Sequence, residues 1–311
     1  YYGYMNLYKY GQKYNGISGM GIIGIANPDL KWEKNKTFNV GLDLTFLNRF
    51  ALTFDYYQRK TSDLIYDLPV SQVGGYYDSS YGYYMPVNVG ALKNSGVEVT
   101  IQTTNFQTDD FSWTTSLNIG HNTNELVTLN GEQNEIVSGP LIHRIGEAYY
   151  SYYLYEYAGV DPQTGKELFY KNDGTADARQ TTTNVSEANK TIVGKHDAKV
   201  EGGLTNNLKW KWFDAFDYAT WQHSDGGTHL YNGAVPAYYT LEDMWTGPGD
   251  TSAKLPAFQY GNNSQSMSSR WLMSTDYLRL KNLTFGVRMP QSWSNKIVMS
   301  NARIYFSGSN L

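Results

Sequence analysis

Alternation of apolar and polar residues is the feature that most constrains the fold of this chain. From Thr37 to Leu47, the apolar side chains Phe38, Val40, Leu42, Leu44 and Phe46 occupy every second position, with small or polar residues between them. A period of two places such residues on one face of an extended strand. After the short connection 47–49 the same split returns, which predicts an antiparallel hairpin.

Further strands follow the same rule along the chain. The alternating runs lie at residues 97–102, 111–120, 198–205, 283–287 and 302–306. Leu278 and Leu280 fall on the wrong parity for the strand that contains Leu283, so we expect a β-bulge near Lys281 or Asn282. The pattern predicts an all-β, antiparallel sheet with one apolar face and one polar face.

The connections between these strands alternate in length. Short ones are predicted at 47–49, 105–110, 206–211 and 289–301, and long ones at 61–95, 130–197 and 222–275. Transmembrane β-barrels of outer membranes have this asymmetry, with short periplasmic turns and long extracellular loops. A soluble β-sandwich has no reason to sort its connections in this way, so the pattern favours a transmembrane antiparallel β-barrel.

Composition narrows the functional classes. Aromatic residues make up 15% of the 311 residues, and tyrosine and tryptophan in particular suit the boundary between hydrocarbon and water. There is no cysteine for a disulfide or a thiolate metal site. A net charge of −4 without a cluster of lysine and arginine argues against nucleic acid as a partner. No run of about 18 to 20 apolar residues is present, which excludes a transmembrane helix.

No motif in the sequence supports enzyme chemistry, a cofactor or a metal. Residues 19–24 match G-x-G-x-x-G by letter, but the required helix does not follow, so we interpret them as a flexible glycine-rich loop. The five histidines lack the spacing of a helical zinc site. Asp109 and Asp110 are better explained by turn chemistry than as catalytic carboxylates.

Aromatic and acidic residues in the long connections are the candidate ligand contacts. Flat rings can stack on sugar faces while carboxylates hydrogen-bond to hydroxyl groups, although the same rings could simply pack the loops together. The candidates for substrate binding are Tyr83, Tyr84, Trp221, Tyr231, Tyr238, Tyr239, Asp243 and Trp245.

Seven segments of the sequence match one known family, in the same order and over nearly the whole chain, at residues 27–43, 55–65, 88–98, 111–113, 157–165, 277–284 and 304–311. Through these segments the sequence resembles the SusC/RagA family of TonB-linked outer-membrane proteins. One stretch departs from the family pattern, because residues 213–227 look short and poorly alternating where a full strand is expected. We therefore expect residues to be missing there.

The resemblance implies a 22-stranded barrel with a plugged lumen, of which residues 1–311 form one partial β-barrel domain. The plug, the TonB box and the last strands have no counterpart in this sequence, and the chain is expected to start and stop within a longer protein. The implied function is active import of large nutrients, oligosaccharides or peptides, across the outer membrane of a Gram-negative cell.

The family also implies partners. They are a SusD-like surface lipoprotein that acts as a lid, the TonB-ExbB-ExbD complex that supplies energy, and outer-membrane lipid, with a dimer of transporter–lid pairs as the expected assembly. Two alternatives remain open at this point. One is a glycan-binding surface adhesin without transport, and the other is a glycan-active enzyme with two carboxylates flanking a sugar cleft.

Overall fold

The computed structural model describes residues 3–69, 84–129, 134–174, 179–224, 227–228, 240–257, 267–294, 296, 299 and 302–311. Its main element is an eight-stranded antiparallel sheet in which each strand pairs with the next member of the sheet along the chain. In spatial order the strands are β3 (Lys34–Phe46), β4 (Phe50–Ser62), β7 (Ala91–Gln107), β8 (Phe111–Thr128), β16 (Ala198–Trp210), β17 (Phe213–Ser224), β20 (Tyr277–Arg288) and β21 (Arg303–Ser309).

The sheet is an open meander, with β3 and β21 at its two edges. Hairpin connections at one end are short. Leu47 and Asn48, between β3 and β4, both have positive φ, the conformation that tight two-residue turns need to match the strand twist. The connections at the other end span 63–90, 129–197 and 225–276. The predicted sorting of short and long connections is confirmed.

The predicted bulge in β20 is also confirmed. Tyr218 of β17 pairs with Asn282, but the next residue, Ala219, pairs with Leu280, so Lys281 is the extra residue. The bulge brings Leu280 and Leu283 to the same face of the sheet despite their different parity.

Strand β17 corrects the expectation of missing residues at 213–227. Phe213–Ser224 is a continuous strand of 12 residues that pairs along its length with β16 and β20. Its alternation looks weak because the face that carries Phe213 and Trp221 also carries Ala215, Asp217 and Ala219 between them. The small side chains and the carboxylate on this face explain why the sequence pattern did not predict a regular strand.

The remaining strands are short and build small sheets in the segments between the long strands. They are β1 (Leu7–Tyr14), β2 (Ile17–Gly24), β5 (Ile65–Pro69), β6 (Tyr84–Asn88), β9 (Glu135–Ser138), β10 (Leu141–Arg144), β11 (Ser151–Tyr155), β12 (Tyr157–Val160), β13 (Glu167–Tyr170), β14 (Thr181–Thr182), β15 (Lys190–Lys195), β18 (Gly227–Thr228) and β19 (Leu272–Met273). The glycine-rich segment 19–24 lies in β2 of a hairpin, so its interpretation as a flexible loop was wrong.

Helices are few and short in the described residues. The 3₁₀-helices are Val185–Glu187, Leu241–Asp243 and Ser269–Trp271, and one α-helical turn, Gln291–Ser294, lies between β20 and β21. In the described part of the chain, no helix is long and apolar enough to cross a bilayer.

The buried core lies on the side of the long connections, not against the faces of the large sheet. Ile142, Leu154 and Phe169, which belong to β10, β11 and β13, are almost fully buried, as is Leu126 near the end of β8. Within the described residues no second layer packs on the sheet. A soluble domain buries an apolar sheet face against another layer, so this sheet requires a different apolar environment.

Candidate functional site

The outer face, as we name the apolar face of the sheet, remains uncovered. Leu42, Phe54, Val99 and Ile119 lie directly opposite one another across four strands, and residues paired in this way point to the same side. Leu42 is 52% exposed and Phe54 is 39% exposed. Neither residue is packed into a core.

Aromatic rings collect at the end of the outer face where the short connections lie. Their ring centroids are separated by 5.1 Å in Phe46–Phe50, 6.1 Å in Phe106–Trp113, 6.0 Å in Trp210–Phe213 and 6.4 Å in Trp212–Trp293. Such rings concentrate where a membrane meets water. We call these residues the aromatic girdle.

The opposite, inner face is polar across the sheet. Thr53 donates to the Asp43 carboxylate at 2.7 Å, and the Tyr57 hydroxyl donates to Asn122 Oδ1 at 3.0 Å. Three carboxylates lie in one row of this face, where Asp55 is opposite Glu98, and Gly120 of β8 lies between Glu98 and Glu201. None of the three carboxylates has an ion pair among the described residues. Carboxylates without a partner require water or a polar neighbour, so this face borders a hydrated or protein-filled space.

An ion-pair cluster lies on the inner face near the short connections. Arg303 of β21 binds Asp214 of β17 through two guanidinium nitrogens, with Nε at 3.0 Å, and Arg288 Nε lies 3.7 Å from the same carboxylate. The pair crosses Gly286, where a Cβ atom would lie 2.7 Å from both Arg303 and Asp214. Glycine at this position therefore permits a bidentate arginine–carboxylate contact across three strands.

Polar side chains also form a chain of hydrogen bonds on the outer face. Thr115 donates to Asn206 Oδ1 at 2.7 Å, and Asn206 Nδ2 donates to Asp217 Oδ2 at 3.2 Å. Asn105 Nδ2 donates to Thr115 at 2.7 Å, and the Trp113 indole donates to Asn206 at 3.1 Å. Mutual hydrogen bonding reduces the free-energy cost of exposing these groups to hydrocarbon.

A buried ion pair ties two of the long connections together. Arg270 Nη1 lies 2.8 Å from Glu167 Oε1, and the two side chains are 4% and 8% exposed. Burial raises the pKa of Glu167, and the positive charge of Arg270 opposes that shift. The guanidinium also lies 4.3 Å from the centre of the Trp271 ring, which adds a cation–π contact. Removal of one partner would leave a charge buried without compensation.

The candidate ligand residues fall into three groups. Tyr83, Tyr231, Tyr238 and Tyr239 lie outside the described residues, and Tyr84 begins strand β6, where its backbone pairs with Pro69. Trp221 belongs to β17. Asp243 and Trp245 lie close together in the connection before β20.

Trp221 points to the outer face. It pairs with Gly202, which in turn pairs with Ile119 of the apolar row. Its ring lies over Gly202, because a Cβ atom on that glycine would be 2.5 Å from the Trp221 ring. It sits near the long connections, at the end opposite the aromatic girdle. This placement favours a contact with the membrane boundary over a contact with cargo.

Asp243 and Trp245 serve local packing. Asp243 accepts hydrogen bonds from the Thr240 backbone and side chain and pairs with Lys254 at 2.7 Å, contacts that lower its pKa to about 2. The Trp245 indole donates to Pro162 O at 3.0 Å and packs on Gly165, whose φ is +68°. Trp245 therefore links the connection before β20 to the β12–β13 hairpin, whereas Asp243 holds that connection together internally.

Among the described residues, no group of three or more histidine, aspartate and glutamate side chains is arranged to hold a metal ion.

Comparison with known proteins shows which family this chain resembles. The family model described as TonB dependent receptor-like, beta-barrel matches residues 1–137. TonB-dependent receptor P3 of Formosa agariphila is 32% identical over 327 residues, which cover 95% of this chain and 31% of that protein. The RagAB peptide transporter structure superposes with a TM-score of 0.84 at 28% identity over all of this chain and 35% of that one. The chain is similar to part of the β-barrel of TonB-dependent receptors.

Other TonB-dependent receptors support the same assignment. SusC of Bacteroides thetaiotaomicron is 28% identical over 304 residues, which cover 91% of this chain and 29% of SusC. The chain thus spans about a third of the length of these relatives. These relatives are TonB-dependent receptors and a peptide transporter, so the resemblance to the SusC/RagA family is confirmed, and the glycan-active enzyme alternative finds no support among them.

Proposed function

We propose that this chain forms part of the barrel wall of an active importer of large nutrients in a Gram-negative outer membrane. The observation that carries the proposal is the single-layer sheet, whose outer face is apolar and uncovered while its inner face carries unpaired carboxylates. In hydrocarbon, strands can span only when every edge is paired, so β3 and β21 require neighbouring strands in a closed barrel.

The proposed protein is longer than this chain. Because the relatives are about three times its length, the plug, the TonB box and the remaining strands are assigned to other parts of the same polypeptide. Residues 1–311 then form one partial β-barrel domain, with the long connections 63–90, 129–197 and 225–276 facing outwards.

The proposed cargo is an oligosaccharide, held in the long connections beneath a SusD-like lipoprotein lid, with energy supplied through TonB-ExbB-ExbD. Peptide is the second candidate, and the likeness to the RagAB peptide transporter favours it. The proposed assembly is a pair of transporter–lid units. Tyr83, Tyr84, Tyr231, Tyr238 and Tyr239 remain the candidate cargo contacts from this chain.

The decisive experiment measures uptake by cells that carry the full-length protein. Fluorescent oligosaccharides and peptides of similar mass are supplied with and without a protonophore, and a strain lacking the gene is the baseline. Accumulation of one cargo class that the protonophore abolishes is the expected result. Surface binding that is insensitive to the protonophore, with no internal accumulation, would instead identify an adhesin and reject import.

A further inference from the structure

A row of lysines crosses the outer face immediately beyond the apolar residues. Lys36 of β3 lies directly opposite Lys60 of β4, and Lys60 lies directly opposite Lys93 of β7. They point to the same side as Phe38, because Lys36 is two residues before it on the same strand. We call these three residues the lysine row.

The lysine row has more positive charge than its neighbours neutralise. Lys93 pairs with Glu125 of β8 at 2.5 Å, but Lys36 and Lys60 have no carboxylate partner among the described residues and both are exposed. Like charges placed directly opposite each other in a sheet are destabilising. An anion that bridges the two ammonium groups would remove this repulsion.

The position of the row identifies the source of the anion. From Phe46 to Lys36, strand β3 is roughly 33 Å long at about 3.3 Å per residue. At the strand tilt of about 40° found in outer-membrane barrels, this length spans roughly 25 Å across the membrane, which is the height of their apolar band. Phe46 belongs to the aromatic girdle at the short connections. Lys36 therefore lies at the other boundary of the band, at the level of lipid headgroups.

We propose that the lysine row binds the phosphate of a lipid headgroup in the leaflet on the side of the long connections. The phosphate bridges Lys36 and Lys60, and the acyl chains extend along the outer face past Val40 and Tyr56. Cross-strand Cβ atoms are about 5 Å apart, so two lysine side chains can converge on one phosphate. The inference rests on the proposed outer-membrane location and adds a specific lipid site to it.

The test uses the full-length protein purified in detergent and native mass spectrometry with two probes. One is lipid A carrying phosphate, and the other is the same lipid A after enzymatic dephosphorylation. The unaltered protein is expected to bind the phosphorylated form more tightly. The Lys36→Gln/Lys60→Gln variant should lose roughly 10- to 30-fold in affinity for it, since each lysine near a charged lipid surface contributes about 1 kcal/mol.

Two further variants control for charge and for folding. Lys13→Gln/Lys166→Gln removes the same charge at exposed lysines outside the row and should bind lipid A like the unaltered protein. Lys36→Arg/Lys60→Arg keeps the charge and should retain binding to within about threefold. A heat-modifiability shift on gels checks that each variant is a folded barrel.

Four results would overturn the inference. Three of them are equal affinity for the two probes, unchanged binding by Lys36→Gln/Lys60→Gln, and an equal loss in the control variant. Displacement of lipid A by millimolar inorganic phosphate would also overturn it, because the site would then bind free anions. Uptake by the same variants is measured separately, so a protein that imports cargo but ignores the phosphate retains the proposed function and loses only this inference.

Discussion

The ring of Tyr57 lies over Gly96 of β7 on the inner face of the sheet, and its hydroxyl donates to Asn122 of the next strand, β8. A Cβ atom on Gly96 would lie 2.6 Å from both the Tyr57 hydroxyl and the backbone oxygen of His121. The contact spans β4, β7 and β8. It explains why this position of an otherwise alternating strand carries no side chain.

Gly96→Ala is therefore expected to destabilise the barrel by about 1 to 3 kcal/mol, because the methyl group meets backbone that cannot move aside. Gly120→Ala is the matched control on the same face, since its nearest new neighbour would be Glu201 Cγ at 3.9 Å. The measurement is the midpoint of urea-induced unfolding of the full-length protein in lipid vesicles. Similar midpoints for the two variants would contradict the close approach of Tyr57.

Arginine should be tolerated on one face of β3 and not on the other. Leu42→Arg places a charge in the proposed apolar band and is expected to cost about 2 to 4 kcal/mol if it lies near the midplane. Thr45→Arg, on the inner face of the same strand, should have a much smaller effect. Unfolding from vesicles measures both variants, and equal losses would argue against lipid at the outer face.

The hydrogen bond between Asn206 and Asp217 predicts a non-additive pair of substitutions. Asn206→Leu removes the donor at 3.2 Å and leaves the carboxylate exposed to hydrocarbon, which should cost about 1 to 3 kcal/mol. Asn206→Leu/Asp217→Leu removes both polar groups and should recover most of that loss. The free energies of unfolding of the unaltered protein, the two single variants and the double variant form a double-mutant cycle. If the losses of the two single variants add up to the loss of the double variant, the two residues do not interact.

Acid should loosen the connection before β20. Hydrogen bonds lower the pKa values of Asp243 and Asp250 from 3.8 to about 2. Both carboxylates therefore stabilise the folded loop at pH values above 3.8, the pKa that they have in the unfolded chain. That contribution is lost as the pH falls from about 4 through 2. Hydrogen exchange of residues 240–257, corrected for intrinsic rates, should therefore accelerate over this range.

Variants of the same loop test which carboxylates are responsible. Asp243→Asn and Asp250→Asn should show fast exchange already at pH values near neutral, and their exchange should change less in acid. Glu242→Gln alters an exposed neighbour that is without a hydrogen bond in the described residues and should behave like the unaltered protein. An acid response that persists in Asp243→Asn/Asp250→Asn would assign the effect to other groups.

The candidate cargo site was much harder to predict from sequence than the strands. Asp243 and Trp245 were correctly placed in a long connection, but the sequence gives no sign that the indole packs on Gly165, about 80 residues earlier. The buried pair of Glu167 and Arg270 was missed for the same reason, because its members are distant in the chain. The lysine row could have been found from parity, since Lys36 continues the register of Phe38.

The sequence by itself determined most of the long strands, their apolar and polar faces, a bulge near Lys281 or Asn282 and the end of the sheet at which the long connections lie. These are local properties, because apolar and polar alternation and turn-forming residues can be recognised from residues that are neighbours in the sequence. Only the tertiary structure decided that β17 is a full strand with Asp217 held by Asn206, and that Trp221 points outwards over Gly202. Those outcomes depend on register between strands, which hydrogen bonding across the sheet sets and no single segment encodes.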